Sequence, residues 1–216
     1  MAIVLFFLGI LTGCFLTMIV KKISFMMDNT ENTNENLPIL EWKEHKKYMG
    51  FTTKNLIITF ISGLLFLISF LQIGLNIILI VALALNCILI VVTFIDIEYQ
   101  IIPDKTIIYA LLIGIVCLFF NNISFINALG GMLLGGGLLL LLALVPGVLG
   151  GGDIKLMFVL GIFLGTKGAM VALLLAFVIA SIISILLLAL KIKKRKDYIP
   201  FGPFLSIGTF IAFLFF

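Results

Sequence analysis

The sequence has few charged residues, a single histidine and no paired cysteines. Only 11% of its 216 residues are charged and 63% are hydrophobic, whereas a soluble domain carries about 25% charged residues. His45 alone cannot build a multi-histidine metal site, and Cys14, Cys87 and Cys117 lie in apolar runs without a CxxC pair. These absences exclude an ordinary soluble enzyme, a nucleic-acid binder, a zinc ribbon and a disulfide framework.

Apolar runs fill most of the chain, and about 20 apolar residues cross a bilayer as a helix. They predict an all-α polytopic membrane protein, a bundle of eight transmembrane helices in a single domain over residues 1–216. A polar loop, residues 21–54, is expected after the first helix and is too short to bury a core of its own. The expected segments are Ala2–Val20, Asn55–Ile73, Ile77–Ile95, Thr106–Phe120, Ile126–Leu149, Ile154–Gly165, Ala169–Leu190 and Phe201–Phe216.

The basic residues predict the orientation of these segments. Thirteen of the fourteen fall in odd-numbered connections, and Lys167 alone falls in an even-numbered one. Because Lys and Arg collect on the cytoplasmic flanks of membrane helices, the polar loop and the other odd connections are expected in the cytoplasm. The basic surplus is thus a topology signal that makes membrane lipid, and not nucleic acid, an expected partner.

Four acidic residues lie at or near the ends of otherwise uncharged helices, where ionisable groups are costly and usually functional: Asp96, Glu98, Asp104 and Asp153. Two membrane crossings separate Asp96 from Asp153, so both are expected at the same face. Two carboxylates a few ångströms apart cannot both ionise cheaply, and one keeps a proton. The charged one can polarise a water that attacks a peptide carbonyl, while the protonated one donates to the oxyanion or the leaving amine. The pair predicts aspartic-protease chemistry.

Two other interpretations of the same aspartates are open at this point. Asp153 could form an ion pair with Lys155, and Asp96 with Lys105, which would anchor helix ends. Alternatively, the two carboxylates could form the ion or proton path of a membrane transporter. Such proteins often show internal repeats and helices broken at the midplane, whereas here both aspartates fall at helix ends near one face.

The remaining two acidic residues have simpler interpretations. Asp104 follows Pro103 and precedes an apolar run, so it is expected to cap the free N–H groups of a helix start. Glu98 is expected in a loop, either solvated or in contact with a substrate. The glycines at 150–152 predict a helix break just before Asp153, because glycine adopts backbone angles that other residues avoid.

Several strings spread along the chain together resemble the type IV prepilin peptidases, members of the GxGD class of intramembrane aspartyl proteases. An aspartate is followed eight residues later by the aspartate of an Ile-Pro-Asp motif, and a GxGDxKL signature comes two crossings later. The strings are Gly13–Thr17 with Lys22, Asn36–Ile39 with Trp42, Asp96–Asp104, Gly150–Leu156 and Ile199–Phe204.

The resemblance implies a specific activity. Family members cut a short basic leader from prepilins or pseudopilins, typically after a glycine, at the cytoplasmic face of the bacterial plasma membrane, and need no cofactor for proteolysis. By this resemblance Asp96 and Asp153 are the catalytic pair. The resemblance further implies that Gly150 and Gly152 frame Asp153, that Lys155 and Asp104 are supporting motif residues, and that Glu98 is a substrate-contacting candidate.

The sequence departs from the family pattern in two respects. Many members carry two CxxC pairs in the first cytoplasmic loop, taken to bind zinc, and this loop has none, so no metal is expected. Many also methylate the new N-terminus with S-adenosylmethionine. The usual glutamate near the start of the second helix has no counterpart in Leu56–Thr59, and Thr17 replaces the usual asparagine, so methylation stays open.

Overall fold

The computed structural model describes residues 1–31, 53–120, 123–145, 149–194 and 198–215. Its regular structure over these residues is entirely helical, which confirms the all-α prediction. Five of the helices, α1, α2, α3, α5 and α6, are long and apolar enough to cross a membrane. The described helices are α1 (Ala2–Glu31), α2 (Thr53–Ile73), α3 (Ile77–Tyr99), α4 (Asp104–Cys117), α5 (Phe125–Leu142), α6 (Gly151–Ala189) and α7 (Gly202–Phe215).

The described residues form seven helices where about eight segments are expected, a small difference that arises at one place. The expected sixth and seventh segments are both parts of α6, which is interrupted only at Gly165 (φ 65, ψ −175). The Asn127 Oδ1 atom accepts hydrogen bonds from the Thr166 N–H (3.0 Å) and from the Thr166 hydroxyl (2.6 Å). The second part of α6 therefore begins already capped, directly after the break, and needs no connecting loop.

The two parts of α6 fold back on each other at Gly165. A Cβ at Gly135, on the neighbouring α5, would lie 2.7 Å from Met157 Cε and 3.5 Å from Ala169 Cβ. Twelve residues of straight helix would separate Met157 from Ala169 by about 18 Å, so one point cannot touch both unless the chain bends sharply between them. A bend is also what the bilayer requires, since 39 residues of straight helix would be about 58 Å long.

Small residues allow the helices around α6 to approach closely. A Cβ at Gly131 on α5 would lie 2.5 Å from the carbonyl oxygen of Gly161 and from the backbone of Gly165. On the other side of α6, the backbone at Ala172 leaves no room for a Cβ at Gly208 of α7. Without a hydrophobic driving force in lipid, such close contact is a main source of helix–helix stability.

The described residues divide into two compact units, residues 1–71 and 72–216, while the single domain stays a prediction. In the first unit, α1 and α2 pack through glycine: a Cβ at Gly9 would lie 2.8 Å from the Gly63 Cα, and one at Gly13 would lie 2.7 Å from the Thr59 Cα. The second unit contains every acidic residue that the sequence analysis singled out.

The first helix is longer than expected. It was predicted to end at Val20, but α1 continues to Glu31. Residues 21–31 contain neither glycine nor proline, so nothing in them stops a helix that has already been nucleated. The expected polar loop accordingly begins later, and its residues 32–52 lie outside the described residues, together with His45, Trp42 and the string Asn36–Ile39.

The glycine contact between α5 and α6 generates a stability prediction. In Gly131→Ala the new Cβ meets backbone atoms, which cannot rotate away, so we expect a loss of about 1–3 kcal/mol in the free energy of unfolding, as for overpacked cores. In the matched control Gly137→Ala, on the same helix, the Cβ meets nothing within 4 Å, and stability should be unchanged or raised by up to about 1 kcal/mol, because alanine is the better helix former. Thermal unfolding of the two variants in detergent measures the difference; equal midpoints would contradict the packing described.

Candidate active site

Asp96 lies in the last turn of α3. The helix ends just beyond it, where Gln100 adopts a left-handed conformation (φ 56) and donates its N–H to the Asp96 carbonyl oxygen at 2.9 Å. The Asp96 side chain is buried, with 3% of its surface exposed, next to the fully buried Ile95. A carboxyl group at this depth requires polar partners, because burial without hydrogen bonds is costly.

One such partner is the backbone of α7. The Gly202 N–H, at the first residue of α7, donates to Asp96 Oδ2 at 2.8 Å. A Cβ at position 202 would lie 2.6 Å from that oxygen, so only glycine lets the helix start come this close. The free N–H groups at a helix N-terminus are natural partners of a carboxylate. The Ile199–Phe204 string thus contains a site residue, Gly202, whose role at the site is not predicted from the sequence.

Asp153 lies in the first turn of α6 and is 4% exposed. The helix begins after Gly150, whose backbone is extended (φ −78, ψ 143). Among the described residues, no group forms a hydrogen bond with the buried Asp153 Oδ1 atom. A buried polar oxygen without a partner is uncommon and calls for an explanation. A functional role for the Asp153 carboxyl group would explain this oxygen.

The two aspartates face one cleft of about 200 Å³. Asp96 approaches it from the end of α3 and Asp153 from the start of α6, and they are near enough for their charges to interact. The cleft lies entirely within the second unit. Its described lining residues are Asp96, Gln100, Ile101, Ile102, Gly150, Gly151, Gly152, Asp153 and Tyr198.

Tyr198 lines the cleft and was missed by the sequence analysis. Its hydroxyl oxygen would lie 3.4 Å from a Cβ at Gly150. Burial, and after it the charges of Asp153 and Asp96, raise the pKa of the Tyr198 hydroxyl, so the group stays a protonated donor at neutral pH. The sequence signal that could have identified Tyr198 as a site residue is its position immediately before the Ile199–Phe204 string.

Gly150 and Gly152, predicted to frame Asp153, both line the cleft. Their surroundings differ. A Cβ at Gly152 would lie 3.0 Å from the Ile102 Cβ, while one at Gly150 would lie 3.2 Å from Asp153 Oδ2. Gly152 therefore permits packing between the segment after α3 and the start of α6, whereas Gly150 leaves space beside the aspartate.

The helix-capping role expected for Asp104 is wrong, as is the ion pair of Asp153 with Lys155. Pro103 occupies the N-cap of α4 without a side-chain hydrogen bond. The Asp104 Oδ1 atom instead accepts from Lys155 Nζ at 2.6 Å, between side chains that are 69% and 56% exposed. The pair joins the starts of α4 and α6 beside the cleft, and neither residue is among the described lining.

The predicted loop position of Glu98 is also wrong, since it lies in the last turn of α3, and its side chain is exposed. It is not among the described residues that line the cleft. Lys105, the other suggested ion-pair partner, is exposed at the start of α4, while Asp96 is buried and bonds to the backbone of α7.

Over the described part of the chain, no group of three or more His, Cys, Asp or Glu side chains could hold a metal ion. The functional groups among the described lining residues are two carboxyl groups, a phenol, the Gln100 side-chain amide and backbone amides. This set suits acid–base chemistry on a polar substrate.

Comparison with known proteins agrees with the resemblance in the sequence. Residues 83–185 match the type IV leader peptidase family, a range that contains both Asp96 and Asp153 but ends before Tyr198. No solved structure matches the chain significantly.

Three similar curated proteins are each described as "Prepilin leader peptidase/N-methyltransferase". The one from Aeromonas salmonicida (strain A449) is 32% identical over 133 residues, which cover 57% of this chain and 45% of the relative. Those from Pseudomonas aeruginosa (strain PAO1) and Legionella pneumophila are 30% and 32% identical over 130 residues, and 45% of each relative is covered. The matched part is thus less than half the length of these relatives. Residues 83–185, which contain both aspartates, are thus similar to the type IV leader peptidase family, and the descriptions of these relatives agree with that match.

Proposed function

We propose that the chain is an intramembrane aspartyl endopeptidase that removes the short basic leader of type IV prepilins or pseudopilins, typically after a glycine. The single observation that carries the proposal is the pair of buried carboxyl groups, from the end of α3 and the start of α6, facing one cleft. The family match and the descriptions of the similar curated proteins support the choice of substrate.

The two carboxyl groups have unequal partners, which suits a division of roles. Asp96 has one oxygen anchored by the Gly202 N–H, an arrangement that suits the charged member. Asp153 also receives a backbone hydrogen bond, from Gly150, but its buried Oδ1 has no described partner, which disfavours the ionised form and suits the member that carries the proton. Sharing one proton also avoids placing two negative charges side by side in a low-dielectric site.

The reaction follows from that division. Asp96 accepts a proton from water as the water oxygen bonds to the scissile carbonyl carbon, and Asp153 gives its proton to the carbonyl oxygen, which yields a neutral diol. The diol then collapses: the C–N bond breaks, the amine nitrogen takes the proton held by Asp96, and Asp153 recovers a proton from a diol hydroxyl. The products are a carboxylic acid and an amine, and both aspartates return to their starting states.

The cytoplasmic orientation of the cleft is part of the proposal. Lys105 and Lys155 are both exposed near the site, at the starts of α4 and α6. Lysines at helix ends favour the cytoplasmic side of a bacterial plasma membrane, and a basic leader would emerge there. The exposed Glu98, in the last turn of α3, is a further candidate to attract such a leader.

Methylation of the new N-terminus is a separate question. The relatives carry N-methyltransferase in their descriptions, and such a step requires S-adenosylmethionine as methyl donor. Leader removal by the two aspartates requires no cofactor. Mass spectrometry of a co-expressed prepilin reports the cut position and the methyl group in one spectrum, and it separates the two activities.

The aspartate pair generates a prediction for processing. Asp96→Asn and Asp153→Asn keep the shape of each side chain but remove its acid–base function, so each variant should lose at least about 10³-fold in processing rate. The assay is gel-detected leader loss from a prepilin in liposomes containing the purified chain. Asp28→Asn, the same substitution near the end of α1, is the matched control and should process normally.

Two outcomes would contradict the proposal. Leader removal that persists in both aspartate variants would exclude the pair as the catalytic groups. Ion flux into liposomes that depends on Asp96 and Asp153, with no cleavage by the unaltered chain, would instead favour the transporter interpretation.

The contact between α7 and Asp96 generates a second prediction for processing. In Gly202→Ala the Cβ overlaps Asp96 Oδ2, so the carboxyl group must leave its position and loses its contact with the Gly202 N–H. We expect processing to fall about 10- to 100-fold, the scale on which misplaced catalytic groups act, with the chain still folded. Gly137→Ala, whose Cβ meets nothing, is the control. Full activity in Gly202→Ala would show that Asp96 does not need this contact.

A further inference from the structure

One point in the cleft touches polar oxygens from two separate parts of the chain. A Cβ at Gly150 would lie 3.2 Å from Asp153 Oδ2 and 3.4 Å from the Tyr198 hydroxyl oxygen. The backbone of Gly150 (φ −78, ψ 143) is one that any residue adopts. The backbone conformation therefore does not explain why glycine occupies this position. The space beside the two oxygens does, because any side chain would fill it.

Tyr198 is held so that its hydroxyl can face this point. It lies in the non-helical segment before α7, four residues before Gly202, which bonds to Asp96. Within that segment Phe201 packs against Phe177 of α6, with ring centroids 5.3 Å apart. The segment thus contacts the second part of α6 and the carboxyl group of Asp96. These two contacts fix the position of Tyr198 relative to the aspartates.

The exposure of Tyr198 suits a residue that meets a substrate. Its side chain is 42% exposed, so it is reachable from outside while it lines the cleft together with Asp96 and Asp153. A phenol donates a hydrogen bond without carrying a charge into the site. A substrate carbonyl oxygen that enters the cleft past Gly150, at van der Waals distance from its Cα, would be within reach of both Asp153 Oδ2 and the Tyr198 hydroxyl.

We propose that Tyr198 is a third catalytic residue, whose hydroxyl donates a hydrogen bond to the scissile carbonyl oxygen opposite Asp153. This role rests on the proposed peptidase function. In the hydration step Asp153 transfers its proton to the carbonyl oxygen, and the Tyr198 O–H bond stays intact, so the proton balance of the reaction is unchanged. The hydroxyl stabilises the negative charge that develops on that oxygen before the proton arrives, as the donors of an oxyanion hole do.

The direct test removes only the hydroxyl oxygen. Tyr198→Phe, purified as the full chain and reconstituted in liposomes with a prepilin, should lower kcat about 100-fold, as the loss of one oxyanion donor does, with KM within about twofold of the original. Tyr109→Phe is the matched control, since Tyr109 is 65% exposed on α4 and lies away from the described cleft lining; its kinetics should be unaltered.

A second variant tests the space itself. In Gly150→Ala the methyl group would occupy the point between the two oxygens without backbone strain, so the chain should fold and kcat should fall by a similar factor. Thermal unfolding of Tyr198→Phe and Gly150→Ala, compared with the unaltered chain, checks that any loss of activity is not a loss of fold.

The outcomes separate this role from the function on which it rests. If the unaltered chain cleaves and Tyr198→Phe cleaves at the same rate, the Tyr198 role is overturned and the peptidase function stands. A rise in KM at unchanged kcat would also overturn it, because the hydroxyl would then bind the substrate and not the transition state. If the unaltered chain cleaves no prepilin, the proposed function falls and the Tyr198 role falls with it.

Discussion

The cost of keeping two carboxyl groups out of water is the constraint around which the second unit is organised. A buried ionised carboxylate costs several kcal/mol unless polar groups replace its hydration. Asp96 obtains such a group from the Gly202 N–H, which requires the start of α7 to come against the end of α3. Asp153 has one oxygen with no described partner. A single shared proton reduces the cost for the pair, and the same proton is the one that catalysis would move.

The position of Asp153 depends on helix contacts far from the cleft. The first part of α6 carries Asp153 at its start and is fixed along its length by close contacts: Phe163 lies over Gly114 of α4, and Gly161 lies against Gly131 of α5. The sharp bend at Gly165, capped by Asn127, brings the second part of α6 back beside α5. In lipid, helices gain little by hiding apolar surface from one another, so these small-residue contacts fix where the carboxyl group stands.

The sequence predicts the class of the fold and the order of its polar groups correctly, but it misplaces the ends of α1 and α3 and misses contacts that depend on three-dimensional proximity. The all-helical membrane fold followed from apolar runs, and the placement of Asp96 and Asp153 at one face followed from counting crossings. The capping role of Asp104 failed because Lys155, 51 positions away, is brought within 2.6 Å of it. No connecting loop separates the expected sixth and seventh segments, because the side-chain amide of Asn127 caps the helix start at Thr166, a contact across 39 positions. Tyr198 had no periodicity or spacing to mark it, since only the fold brings it to the cleft.

The glycines around the aspartates show how one residue type can serve opposite purposes at one site. The space that Gly202 leaves is filled by the carboxyl group of Asp96, and the space that Gly152 leaves is filled by Ile102. Both are packing roles that let backbone and side chain meet. The space at Gly150 is bounded by two polar oxygens, those of Asp153 and Tyr198, and it opens into the cleft. In this chain the GxGD string thus combines one glycine that packs against Ile102 with another that leaves space beside Asp153 and Tyr198. This difference explains why replacing the two glycines should have different consequences even though they are two residues apart.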